Sequence, residues 1–193
     1  MASTITPPAR SIFTKICPMH HLLPLLLALF ACTASPGTDT TAAGAATADR
    51  APVTTYYFIR HAEKDLTDRT DPALTAEGEA RAREWARYFS NKDIDLVYST
   101  QTQRTQRTAA PTAAAVGVEV RSYSPDELPG PAFRAATTGK NVLVVGHSNT
   151  IPDAVNRLTG KREFSDIDES EYGHLYRVTL RRGKAKVRHR EFD

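Results

Sequence analysis

The sequence predicts a three-layer α/β/α fold with a mainly parallel sheet and a C-terminal antiparallel hairpin. Three observations carry this. Short apolar runs alternate with helical patterns from Thr54 to Leu158, as expected of parallel strands joined by helical crossovers. The run Asn141-Val142-Leu143-Val144-Val145-Gly146 is apolar without interruption, which suits a strand covered on both faces. After Gly173 the pattern changes to two strand-like stretches, His174–Leu180 and Lys184–Arg190, joined by Arg182-Gly183.

The elements follow in order. Thr54–Arg60 is the first strand, and a polar loop through Asp65, Asp68, Asp71 and Pro72 follows it. Thr75 is placed to cap a helix, with Glu77 and Glu79 in its first turn where negative charge suits the helix dipole. Leu74, Gly78, Ala82, Trp85 and Phe89 recur at helical spacing and form one apolar stripe, so Trp85 is read as core. Asp95–Tyr98 is a second strand ending in Ser99-Thr100. A helix over Thr102–Ala115 stops before Gly117, and Val118–Val120 is a third short strand. Tyr123–Gly130 is a polar loop, and a weak helix runs through Phe133 and Ala136. The fourth strand ends in His147-Ser148-Asn149-Thr150, where Asn149 and Thr150 can cap a helix beginning at Pro152. Lys161–Gly173 is a polar loop. Its acidic cluster Asp166, Asp168, Glu169 and Glu171 lacks calcium-loop spacing and reads as solvated.

Composition sets bounds. The chain has 193 residues, enough for one domain, with 40% hydrophobic and 24% charged residues. Without the first 32 residues it carries 23 basic and 22 acidic side chains, too even a balance to argue for nucleic acid. The stretch from His174 onward holds seven Lys or Arg against two acids, and reads as a charged edge hairpin that resists edge pairing.

Residues 1–32 read as an export signal. Arg10 and Lys15 precede the apolar run Leu22–Phe30, which is shorter than the ~20 residues a bilayer span needs. Met19 is an alternative start. Leu29-Phe30-Ala31-Cys32 resembles a bacterial lipoprotein signal with Cys32 as the lipidated residue; the alternative is an ordinary secretory signal. Residues 33–52 are Ala, Thr, Gly, Ser and Pro with almost no large apolar side chain, and read as a flexible tether. The folded domain is 53–193. The expectation is an exported protein anchored to the cell envelope, or otherwise periplasmic or secreted.

Tyr56–Ile59 is an apolar strand ending in Arg60-His61-Ala62-Glu63-Lys64. Open α/β sheets place binding groups at such carboxyl ends, and the fourth strand also ends in a histidine. If the two strands are neighbours, Arg60-His61 and Gly146-His147 meet. Arginine grips two oxygens of a phosphoryl group at once, and imidazole is a nucleophile that needs no separate base at neutral pH. These residues therefore suit phosphoryl transfer, with His61 attacking phosphorus, Arg60 and Arg104 neutralising charge, and His147 donating a hydrogen bond, best when protonated. A carboxylic acid must protonate the leaving group.

Arg60-His61-Ala62-Glu63, Ser99-Thr100 with Arg104–Ala109, Val145–Thr150 and Leu74–Gly78 together resemble the motifs of the histidine phosphatase superfamily, the phosphoglycerate-mutase-like proteins, in the family's order. The resemblance implies a phosphatase acting on phosphomonoesters or a phosphorylated protein side chain, without metal or other cofactor. It implies His61 as the phosphorylated nucleophile and Arg60, Arg104 and His147 as the phosphate pocket. The proton donor would lie in the loop after the third strand, where Glu127 is favoured over Asp126. Arg107 is an alternative to Arg104. Glu63 and Asn149 are candidates for the surroundings of the site; Glu63 and Lys64 are readable as groups that orient His61 or touch substrate, and equally as a solvated loop pair. His174 and His189 read as structural or exposed. Rival readings are a phosphate-binding module without catalysis, a phosphomutase of the same family, and a metal hydrolase. The last is disfavoured by Arg60 beside the candidate ligands His61 and His147 and by the lack of a His-x-His or Cys cluster.

Overall fold

The computed structural model describes residues 51–192. The expected export signal, Cys32 and nearly all of the tether lie outside the described residues. Six strands form one sheet in the order β3-β2-β4-β1-β5-β6. In chain order the elements are β1 (Val53–Arg60), α1 (Ala76–Phe89), β2 (Leu96–Ser99), α2 (Gln103–Val116), β3 (Val120–Ser122), α3 (Pro131–Ala136), β4 (Asn141–Gly146), α4 (Thr150–Thr159), β5 (His174–Arg181) and β6 (Lys184–Glu191). The first four strands run parallel; β5 and β6 form the antiparallel hairpin beside β1. Among the described residues no helix is long and apolar enough to cross a membrane.

The period-two alternation of β1 and β4 divides the core between the two sheet faces. Tyr56, Phe58, Val142 and Val144 pack on one side with Ile151, Ala154 and Val155 of α4. Tyr57, Ile59, Leu143 and Val145 pack on the other with Trp85 and Phe89 of α1 and Ala109 and Ala113 of α2. The stripe Gly78, Ala82, Trp85 and Phe89 is buried along its length, so Trp85 is core.

Two element boundaries and one helix cap differ from expectation. β3 spans Val120–Ser122 rather than Val118–Val120, because Gly117 ends α2 in the left-handed region (φ 74°) and the Val118 amide donates back to Ala113 O at 3.0 Å. That amide closes the helix and is not available to a strand ladder. Helix α4 begins at Thr150, two residues before Pro152, which costs nothing because first-turn amides have no helical partner. Asn149 occupies the N-cap position of α4, but its side chain makes no capping bond and is exposed. Thr150 Oγ1 instead accepts from the His147 amide at 3.1 Å.

Strand register levels the two histidine-bearing ends. Arg60 pairs with Gly146 across β1 and β4, and the His61 amide donates to Gly146 O at 2.9 Å. The chain reverses its direction of travel through the sheet on either side of this pair, which opens a crevice at their carboxyl ends. Gly146 allows close packing there: a Cβ would lie 2.7 Å from Tyr123 Oη and 2.8 Å from Ile151 Cδ1.

Candidate active site

His61 and His147 face each other across the crevice with ring centroids 5.5 Å apart and planes inclined by 67°. His61 Nδ1 lies 2.8 Å from Ala62 O. A carbonyl only accepts, so Nδ1 carries the proton and Nε2 keeps its lone pair. Burial pushes the His61 imidazole down to about 3, and the charges of Arg60 and Arg104 and the neighbouring His147 push the same way. The ring is therefore neutral across the physiological range.

His147 Nδ1 lies 3.4 Å from an Arg104 guanidinium nitrogen, and Nε2 lies 2.9 Å from Thr100 Oγ1. Arginine only donates, so His147 accepts at Nδ1 and donates from Nε2 to the threonine. Burial first, then Arg104, Arg60 and Lys64, lower its pKa to about 4. His147 is thus neutral at physiological pH and donates as an uncharged imidazole, a weaker donor than the protonated ring.

Arg104 comes from the first turn of α2. Asp71 anchors that turn by accepting the Gln103 amide at 3.0 Å and lying 3.7 Å from the Arg104 guanidinium. The polar loop after β1 thus caps α2 in place of Thr102, whose side chain makes no cap bond. Arg107 is excluded from the crevice; it is half exposed and pairs with Glu79 of α1 at 3.3 Å.

Arg60 is fully buried, and its guanidinium is held by the loop before β5. Nη1 donates to Asp168 O at 2.6 Å and Glu171 O at 2.7 Å, Nη2 donates to Glu169 at 3.0 Å, and the Tyr172 ring lies 4.3 Å from the guanidinium carbon. The Nε atoms of Arg60 and Arg104 are buried without a hydrogen-bond partner among the described residues. An unpaired buried guanidinium donor is costly, and a bound anion or a water would supply the missing acceptor.

The acidic loop before β5 is not merely solvated, which corrects that reading. Ile167 is buried, and its amide donates to Ser148 O at 2.9 Å. Glu169 accepts from Arg60, from Lys64 at 2.8 Å and from Ser148 Oγ at 2.7 Å. Those hydrogen bonds hold its carboxyl down at about 2 although it is largely exposed. Ser148, Lys64, Glu169, Tyr172 and Thr100 are thus site neighbours, of which only Lys64 had been weighed as a contact. Only Thr100 and Ser148 had a sequence signal, their places just after β2 and β4. Glu169 and Tyr172 come from a loop more than 100 residues from Arg60, where spacing says nothing.

Glu63 is buried rather than solvated. It accepts from Arg81 of α1 at 2.7 Å, and its carbonyl accepts the Thr75 amide at 3.0 Å. It fixes α1 to the strand end and makes no hydrogen bond to His61. Asn149 likewise stays outside the crevice. Of the two candidate proton donors, Glu127 lines an open cleft of about 540 Å³ together with His147, Thr100, Thr102 and Tyr123, whereas Asp126 does not. Ser124 and Glu127 close a capping box around the 3₁₀ turn 125–127, and Arg157 of α4 donates to the carbonyls of Pro125 and Leu128, which anchors the loop.

The fold and site thus define an α/β protein with two histidines and two arginines gathered at the carboxyl ends of parallel strands. Residues 56–124 match the family model of the histidine phosphatase superfamily (branch 1). Among curated proteins none matches this sequence. Solved structures of similar fold include the protein histidine phosphatase SixA complexed with tungstate, with 17% identity and TM-score 0.56, covering 71% of this chain and 96% of that one. A candidate phosphohistidine phosphatase SixA from Nakamurella multipartitia is 25% identical at TM-score 0.50, covering 70% and 88%. A phosphoserine phosphatase mutant from Entamoeba histolytica, in complex with phosphoserine, is 17% identical at TM-score 0.56, covering 69% and 94%.

Proposed function

We propose that this chain is a phosphatase that hydrolyses a phosphomonoester or a phosphorylated protein side chain through a phosphohistidine on His61. The observation that carries the reading is the fixed tautomer of His61. Ala62 O holds the Nδ1 proton, and the free Nε2 lone pair lies in a crevice shared with Arg60, Arg104 and His147. The match of residues 56–124 to the histidine phosphatase superfamily model supports the same class of reaction.

In the first step Nε2 of His61 attacks phosphorus. The bond to the leaving oxygen breaks, its electron pair stays on that oxygen, and Glu127 supplies the proton. Arg60 and Arg104 neutralise the charge on the equatorial oxygens, and the Nε2–H of His147 exchanges Thr100 for one of those oxygens. Burial depresses both histidines most, and the incoming dianion offsets the part that the neighbouring cations add. In the second step water attacks phosphorus, Glu127 takes its proton, and the P–N bond returns its electrons to His61.

A phosphate-binding module without catalysis is the second reading, and the exposure of Glu127 favours it. One experiment separates the two. Turnover of phosphate esters that survives EDTA and disappears in His61→Ala supports the phosphatase. Phosphate binding with no turnover of any ester supports the module. Export and lipidation at Cys32 belong to the same proposal and rest on the leader sequence.

A further inference from the structure

A second group of ligating side chains lies on the C-terminal hairpin. In the register of β5 and β6, His174 stands opposite Glu191 and Tyr176 opposite His189. Residues two apart on a strand share a face, so His174, His189 and Glu191 all project from the same side of the ribbon. Their ligand atoms converge: His174 Nδ1 lies 2.8 Å from His189 Nε2, and Glu191 Oε1 lies 3.8 and 3.9 Å from those two nitrogens.

The surroundings fix both rings. His174 Nε2 donates to the Glu171 carboxylate at 2.9 Å, so Nδ1 carries a lone pair directed at the other two groups. A carboxylate holding the outer nitrogen of an imidazole is the usual support of a metal-bound histidine, because it fixes the tautomer and raises ligand basicity. His189 stacks on Tyr176 at 4.4 Å and meets the edge of Phe164 at 5.8 Å. His174 is nearly buried, whereas Glu191 is exposed and free to adjust.

We propose that His174, His189 and Glu191 bind a divalent transition-metal ion of the zinc type, apart from the phosphate crevice. Two imidazoles and one carboxylate favour such ions over magnesium or calcium, which prefer all-oxygen sites. Without metal, His189 donates its Nε2 proton to His174. With metal, the ion takes that place and His189 shifts its proton to Nδ1, so both rings stay neutral. Tetrahedral bonds of about 2.0–2.1 Å put two ligand nitrogens roughly 3.3 Å apart. The two nitrogens therefore part by about half an ångström, the nearly parallel rings turn so that both lone pairs meet off the line joining them, and the Glu191 oxygen moves in by a similar amount. The fourth position is left to water.

The test uses the full chain, stripped with EDTA and desalted, then titrated with ZnCl2 by calorimetry and with CoCl2 by visible absorption. Cys17, Cys32, His20 and His21 are also in the chain, so the signal is the equivalent lost on substitution. The wild type should bind one equivalent of zinc that His189→Gln lacks, and Glu191→Gln and Glu171→Gln should bind it about 10- to 100-fold more weakly. Zinc should raise the thermal midpoint of the wild type but not of His189→Gln, and MgCl2 should raise neither. Circular dichroism confirms that each variant is folded. Identical zinc and cobalt titrations of wild type and folded His189→Gln would overturn the site, and would leave the phosphatase reading untouched.

Discussion

Arg104 and Arg107 lie three residues apart on one helix, yet one reaches His147 and the other reaches Glu79. The difference is a matter of helix face. Arg104→Ala removes a donor to developing phosphoryl charge, so kcat/KM should fall about 100- to 1000-fold. Arg107→Ala removes an exposed ion pair worth at most ~1 kcal/mol, and turnover should stay within about twofold. Steady-state assays on one ester check both. The proton donor is tested by leaving group. Glu127→Gln should slow an alkyl phosphate about 100- to 10,000-fold and p-nitrophenyl phosphate far less, because a nitrophenolate leaves without a proton. Asp126→Asn should leave both rates nearly unchanged. If Asp126→Asn reproduces the Glu127 pattern, the roles are reversed.

At the level of elements, the site depends on how β1, β4 and α1 are locked together. Glu63 joins the strand end to α1, and Gly78 is the reason the helix approaches so closely. A Cβ at Gly78 would sit 2.3 Å from the Glu63 carbonyl oxygen, a backbone atom that cannot swing aside. Gly78→Ala should therefore destabilise the domain by about 1–3 kcal/mol, measurable by urea unfolding. Much of this level was legible in the sequence. The Leu74–Phe89 stripe, the apolar run of β4 and the turn at Arg182-Gly183 each encode their element locally. The meeting of His61 with His147 was legible only through the family's motif order, since register is a long-range property. The loop before β5 was not legible. Its acidic residues have an ordinary solvated pattern, and their engagement with Arg60 arises because Ile167 docks on Ser148 O and carries the turn across the strand ends. Residue identity alone places a glutamate beside a cation no better than beside water.

For the whole molecule, one buried and one half-buried neutral imidazole make stability depend on pH. His61 and His147 are depressed to about 3 and about 4 in the folded state, against about 6.5 when exposed. Between those values the unfolded chain binds more protons than the folded one, so stability falls as pH drops. It should be fully present above about pH 7 and decline steadily from about 6.5 down towards 4. The double variant His61→Gln/His147→Gln should show a shallower decline over that window in thermal unfolding. An unchanged slope would mean that these rings are not held neutral.

The same neutrality underlies the catalytic claim, because a protonated His61 has no lone pair with which to attack. Rapid acid-free quenching during turnover of a phosphate ester, followed by peptide mass spectrometry, tests that claim most directly. Phosphate should be found on His61, stable to base, labile to acid and absent from His61→Ala. Turnover with phosphate on no histidine, or activity retained by His61→Ala, would contradict it.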